Sequence, residues 1–153
     1  MIHCRLADLN SPIDAAIIVE LVDDYAQDTM GGAQPLSEQV KTTMVEGMRN
    51  TPGCFVIVAE RDGQAVGLAN CFMAFSTFKA KPLVNIHDLC VHHDWRGKGI
   101  GAALLSAVAY EARRRGCCKV TLEVRDDNPA RRLYEREGYK NGPVPMWFLT
   151  KEL

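Results

Sequence analysis

One stretch, residues 82–124, limits the possible folds more than any other. An apolar run, "PLVNIHDLCVHH", leads into a loop with glycines at Gly97, Gly99 and Gly101. Next, Ile100, Ala103, Leu104, Ala107 and Val108 keep one apolar face at helical spacing, as far as about Arg115. Gly116 ends that helix, and Arg113 to Arg115 suit its negative end. "CCKVTLEV" (117–124) then reads as a strand. Two strands joined through a helix are expected to be parallel neighbours, since the crossover needs that length.

The flanking segments extend this unit. "IHCRLA" reads as a first strand, and "SPIDAAIIVELVDDYAQD" as a helix with Ser11 as N-cap and Pro12 at its first position. "LSEQVKTTMVEGMRN" is a second helix, capped by Ser37. Two apolar runs around Asp62-Gly63 signal a hairpin. After the central unit, Asn128-Pro129 opens a short helix that stops at Gly138, and "VPMWFLTKEL" reads as a last strand. The expected fold is α/β: a mixed, mostly antiparallel central sheet with helices on both faces, in one domain over residues 1–153.

Composition narrows the function. Net charge is −1, which gives no general attraction to nucleic acid. No apolar run reaches membrane-spanning length, and the N-terminus lacks a signal-peptide pattern, so a cytoplasmic protein with no membrane partner is expected. The six cysteines include no C-x-x-C pair and read as free thiols. A zinc site from His87, Cys90, His92 and His93 is disfavoured. Strand alternation would put His87 and His93 on one side and Cys90 and His92 on the other. No metal is expected. Trp95 and Trp147 read as packing residues.

The glycine loop invites three phosphate readings. A nucleoside triphosphate loop fails, because Lys98 is followed by Gly99 and no hydroxyl stands where magnesium needs one. A dinucleotide fingerprint matches Gly97, Gly99 and Ala102, yet "HHDWR" separates the strand from the first glycine. The third reading is Arg96-x-x-Gly99-x-Gly101: bare helix N–H groups beside basic residues, suited to a pyrophosphate. A glycine-rich start to a helix, with Arg96 and Lys98 merely solvated, is the plain alternative.

The two segments "LCVHHDWRGKGIGAALL" and "DDNPARRLYEREGY" together resemble the GNAT superfamily of acyl-CoA-dependent N-acetyltransferases. Arg96, Gly99 and Gly101 match its R/Q-x-x-G-x-G/A signature, and Leu133-Tyr134-Glu135 with Gly138-Tyr139 match its later one. The central stretch, Phe75 to Val91, also looks like spermidine/spermine acetyltransferases. The resemblance implies direct attack of an amine on acetyl-CoA, the cosubstrate, in a ternary complex. It assigns backbone contacts with the pantetheine arm and acetyl group to Leu89, Cys90 and Val91. It assigns the pyrophosphate to Arg96, Gly97, Lys98, Gly99, Ile100, Gly101 and Ala102. Tyr134 becomes the general acid. Asp127 stands where many relatives have Asn, with Asn128 beside it, and either is a candidate cofactor contact. His87, in the place of a Glu of polyamine-acetylating relatives, is a candidate base or amine contact, or else a structural strand residue.

Asp24 and Asp28, at the end of the first helix, are candidate contacts for a cationic amine, with Asp23 in the same acidic patch; an exposed acidic helix face is the alternative. The Gly31-Gly32 loop reads as a lid or as a connector. The acceptor is expected to be a small amine or a protein amine. The apolar "MWFL" strand would suit the edge of a homodimer. A non-catalytic acyl-CoA-binding module is the competing function.

Overall fold

The computed structural model describes residues 1–153. Its strands are β1 (Ile2–Leu6), β2 (Cys54–Arg61), β3 (Gln64–Ser76), β4 (Lys81–Val91) and β5 (Val120–Leu122). Its helices are α1 (Pro12–Gln27), α2 (Glu38–Asn50), α3 (Ile100–Arg114) and α4 (Arg131–Arg136). The strands lie in sequence order in one sheet. The first three pairings are antiparallel, and β4 with β5, joined through α3, is parallel.

Local chemistry accounts for most boundaries. Ser11 Oγ accepts from Asp14 N and Ser37 Oγ from Val40 N, so both N-caps form as read from sequence. Asp62 and Gly63 both take positive φ, 53° and 78°, which closes the β2–β3 hairpin with the twist its strands need. The period of 2 in β2 builds both cores. Phe55, Ile57 and Ala59 face α3, where they meet Leu104, Leu105 and Val108. Val56 and Val58 face α1 and α2, where they meet Ile18, Leu21, Val45 and Met48. The sheet therefore carries helices on both faces. No helix is long and apolar enough to cross a membrane, and all six cysteines are free.

Two expectations fail toward the C-terminus. β5 covers only three residues of the eight read as strand. No strand forms over 144–153, where Met146, Trp147, Phe148 and Leu149 are exposed. Pro143 and Pro145 explain this: two residues apart, they remove N–H donors from the same edge of the segment. The short β5 also offers little template for pairing. Trp147 is consequently not a packing residue, and the strand on which a dimer edge was expected is missing.

Candidate active site

The site begins with an irregularity in β4. Asn70 pairs with Asp88 and Cys71 with Ile86, so His87 has no residue opposite it and forms a β-bulge. The extra residue resets the alternation. Before it, Val84 and Ile86 face α3; after it, Leu89 and Val91 do, while Cys90 lies under α1. His87 and Asp88, although consecutive, share the α1 face. The His87 ring meets Phe72 edge-on at 5.7 Å, and Asp88 Oδ2 accepts from Asn70 Nδ2 at 2.9 Å. Asn70 and Phe72 are two apart on β3, hence on one side of the sheet.

This overturns the alternation argument, which had set His87 opposite Cys90. The four residues weighed for zinc are still not gathered. The group whose ligand atoms lie within 4.8 Å of one another is instead Asp24, His92 and His93.

Next to the bulge the sheet opens. β4 and β5 pair only from Val84 with Val120 to Ile86 with Leu122, so residues 87–91 of β4 have no neighbour on that side. His92 N donates to Val66 O across β3. Antiparallel alternation then turns the N–H groups of Leu89 and Val91 the other way, toward the gap. Val91 O faces the gap too, and accepts from Arg96 Nε at 3.2 Å.

The glycine loop closes one end of this gap. Gly97 and Gly99 have φ of 73° and 84°, backbone that favours glycine. Gly99 caps α3 without a side chain, so the first N–H groups of α3 have no side-chain partner, unlike those of α1 and α2. A Cβ on Gly101 would come within 2.7 Å of Leu133 Cδ2, so this glycine lets α4 approach α3. Lys98 Nζ lies 4.7 Å from the Trp95 ring centroid, and Arg61 lies over the same ring. Trp95 thus packs as expected.

The end of α1 is tied to this loop. Asp24 Oδ1 is 2.7 Å from His93 Nδ1, and Asp28 Oδ2 accepts from Arg96 Nη1 at 2.6 Å. The Met30 N–H and the Arg96 guanidinium hold the Asp28 carboxyl below its ordinary range. Asp23 is bonded by Leu36 N and Lys41 Nζ. The Gly31-Gly32 segment is a hydrogen-bonded turn: Gly31, Gly32 and Ala33 all donate to the Asp28 carbonyl.

On α4, Tyr134 packs against the α3-side core, with its ring 6.1 Å from that of Tyr139. Burial, reinforced by Tyr25 and Cys90, pushes its phenol up to about 12. The hydroxyl therefore keeps its proton at neutral pH, as a general acid must. Burial also raises Tyr25, with Cys90, Asp88 and Asp28 adding to the effect and Arg125 opposing it. Asp127 is clamped by Arg125 at 2.7 and 3.0 Å, and Asn128 Oδ1 accepts from Ala130 N at the turn into α4.

Three residues of this region, Asn70, Tyr25 and Asp88, had no assigned role in the sequence reading. A signal for the first was present: Asn70 is the one polar residue of "VGLANCF", an otherwise apolar run. A polar side chain in a buried strand needs a polar partner.

The sequence pattern of the acetyltransferase (GNAT) family matches residues 18–139. The chain belongs to that family. Among curated relatives, the uncharacterized N-acetyltransferase YhfO of Bacillus subtilis is 35% identical over 86 residues, 56% of this chain and 58% of that protein. Thialysine N-epsilon-acetyltransferase of Bos taurus is 30% identical over 138 residues, 82% and 78% of the two chains. This chain spans little more than half the length of YhfO and of an Archaeoglobus fulgidus relative. The fold matches that of a ribosomal-protein-alanine N-acetyltransferase from Brucella melitensis, with a TM-score of 0.77 at 23% identity over 99% of this chain and 100% of the other.

Proposed function

We propose that the protein transfers the acetyl group of acetyl-CoA to a primary amine by direct attack within a ternary complex. The observation that carries this reading is the gap beyond Ile86. There β4 presents unpaired N–H groups between an uncapped helix N-terminus and a phenol that keeps its proton. The amides of α3, with Arg96 and Lys98, suit the pyrophosphate. The N–H groups of Leu89 and Val91 suit the pantetheine arm and the acetyl oxygen, where negative charge develops.

The chemistry needs three proton movements. An alkylammonium must lose a proton before its nitrogen can attack. His87, beside the acceptor face, takes it. The nitrogen lone pair forms a bond to the carbonyl carbon, the C–S bond breaks, and the Tyr134 hydroxyl protonates the departing sulfur; the new amide nitrogen gives up its second proton, which restores the Tyr134 phenol. The products are an N-alkylacetamide and free CoA thiol, and one proton is released to solvent. Holding both reactants together supplies much of the rate.

The test is a thiol-release assay over a panel of amines, with acetyl-CoA affinity measured separately. Tyr134→Phe is expected to lower kcat by about 10²-fold or more while acetyl-CoA affinity stays within about twofold. Wild-type binding of acetyl-CoA without turnover of any amine would show a non-catalytic acyl-CoA-binding module instead.

A further inference from the structure

Seven acidic side chains are not fully exposed: Asp14, Asp23, Asp24, Asp28, Glu60, Asp88 and Glu111. Five of them have an arginine or lysine partner within 4 Å, and a sixth, Asp24, has the His93 ring. Arg5 serves Asp14 and Glu60, Lys41 serves Asp23, and His93 stands against Asp24. Arg96 serves Asp28, and Arg114 with Arg115 serve Glu111. Asp88 alone has none. Its partner is the neutral amide of Asn70. A half-buried carboxylate without a counter-ion is costly unless something arrives to balance it.

We infer that Asp88 anchors the acceptor's ammonium group, and that the site is built for an alkyl amine carrying a single positive charge. This inference rests on the acetyltransferase reading above and names the acceptor class for that site. The location suits it. Asp88 lies on the bulge beside His87, so a nitrogen held there is next to the group that takes its proton. Phe72 and His87 flank it with aromatic surface, which suits an ammonium and the methylenes attached to it. Tyr25 is within electrostatic reach of the same carboxylate.

Asn70 fixes the anchor. It is 3% exposed, and its Oδ1 has no hydrogen-bond partner. The amide keeps that arrangement because its Nδ2 is held by the Asp88 carboxylate. A second cation on the acceptor gains little. Asp24 is already occupied by the His93 ring and Asp28 by the Arg96 guanidinium, and the exposed Glu123 is bonded by Asn85 Nδ2. An exposed acid adds little to binding in any case.

The test uses matched acceptors on the intact protein: 6-amino-1-hexanol against 1,6-diaminohexane, and a capped peptide with one lysine against the same peptide with two. The wild type is expected to show kcat/KM values within about threefold inside each pair, a statistical factor of two included. Asp88→Asn, nearly isosteric, is expected to raise the amine KM by about 10- to 100-fold, the loss of one charge-assisted contact. Its acetyl-CoA KM should be unchanged, which also shows that the variant is folded. A diamine or dilysine preference of tenfold or more in the wild type overturns the single-charge inference, whatever the variant does. An unchanged amine KM in a folded Asp88→Asn overturns the anchor. In both cases the transferase reading stands. Acetyl-CoA binding with no turnover of any of the four acceptors overturns the transferase reading and this inference with it.

Discussion

At the scale of single residues, the site turns on which way the β4 side chains point. Tyr134 was singled out in the sequence because a short motif surrounds it, and in the structure burial raises its phenol. Asp88 was not legible as a site residue. "NIHDLC" contains no glycine or proline to mark a bulge. The irregularity lies in the register of β3 against β4, where Asn70 pairs with Asp88 and Cys71 with Ile86, and strict alternation cannot anticipate such a long-range event. His87 is the residue whose orientation the bulge decides. Its ring meets that of Phe72 edge-on, on the same face as Asp88. Histidine is the side chain suited to proton exchange near neutrality. His87→Ala is expected to lower kcat/KM for the amine by about 10²-fold and to change its pH dependence, with acetyl-CoA affinity kept. A variant whose pH–rate profile matches the wild type would remove His87 from the proton transfer and leave it as a strand residue.

At the scale of elements, the legible parts were those set by neighbours in sequence: the capping serines of α1 and α2, the Asp62-Gly63 turn, and the apolar stripe of α3. β5 and the C-terminal segment were misread because strand formation depends on a partner, and apolar composition alone does not supply one. The seating of α1 was also hidden. Asp14 in its first turn is 5% exposed, accepts from Arg5 Nη1 and Nη2 at 2.9 and 2.7 Å, and accepts from Asp8 N. Arg5 belongs to β1 and also reaches Glu60 on β2. One arginine thus joins α1 to two strands. Removing the buried acid leaves Arg5 with half its partners and Asp8 N with none. Asp14→Ala is expected to cost about 2–3 kcal/mol, reduced from a fully buried pair because Arg5 is partly exposed. For a domain of this size that is a fall in Tm of about 5–10 °C, measurable by calorimetry. A change of a degree or less would mean that α1 is held by its apolar face alone.

At the scale of the whole molecule, the order of elements as far as α4 was readable because most apolar runs there have one dominant period, and the two cores follow from it. The charge pattern was not readable, since net charge says nothing of pairing. In the fold, acids are matched to cations at almost every half-buried position, and that matching fixes the response to pH. Arg5 holds the Asp14 carboxyl below its ordinary range, Arg114 with Arg115 does so for Glu111, and Met30 N–H with Arg96 for Asp28. A carboxyl depressed in the native state binds fewer protons there than in the unfolded chain, so its contribution is complete above the ordinary carboxylate range, about pH 4. It is lost as pH falls through that range and below. At the alkaline side the sign reverses. Burial raises Tyr134 and Tyr139 to about 12, so the native state holds their protons longer than the unfolded chain, whose tyrosines ionise near 10. That contribution is full below about pH 10 and is lost toward 12. Burial raises the Cys71 and Cys90 thiols as well, and unfolded thiols ionise at about 8.5, so Tm is expected to be flat between about pH 5 and 8 and to fall on both sides. Asp14→Asn should flatten the acid limb relative to the wild type, because one of the depressed carboxyls no longer titrates. An acid limb of unchanged slope in that variant would assign the loss of stability to the other carboxyls, Glu111 first, since it is the other buried acid held by arginines.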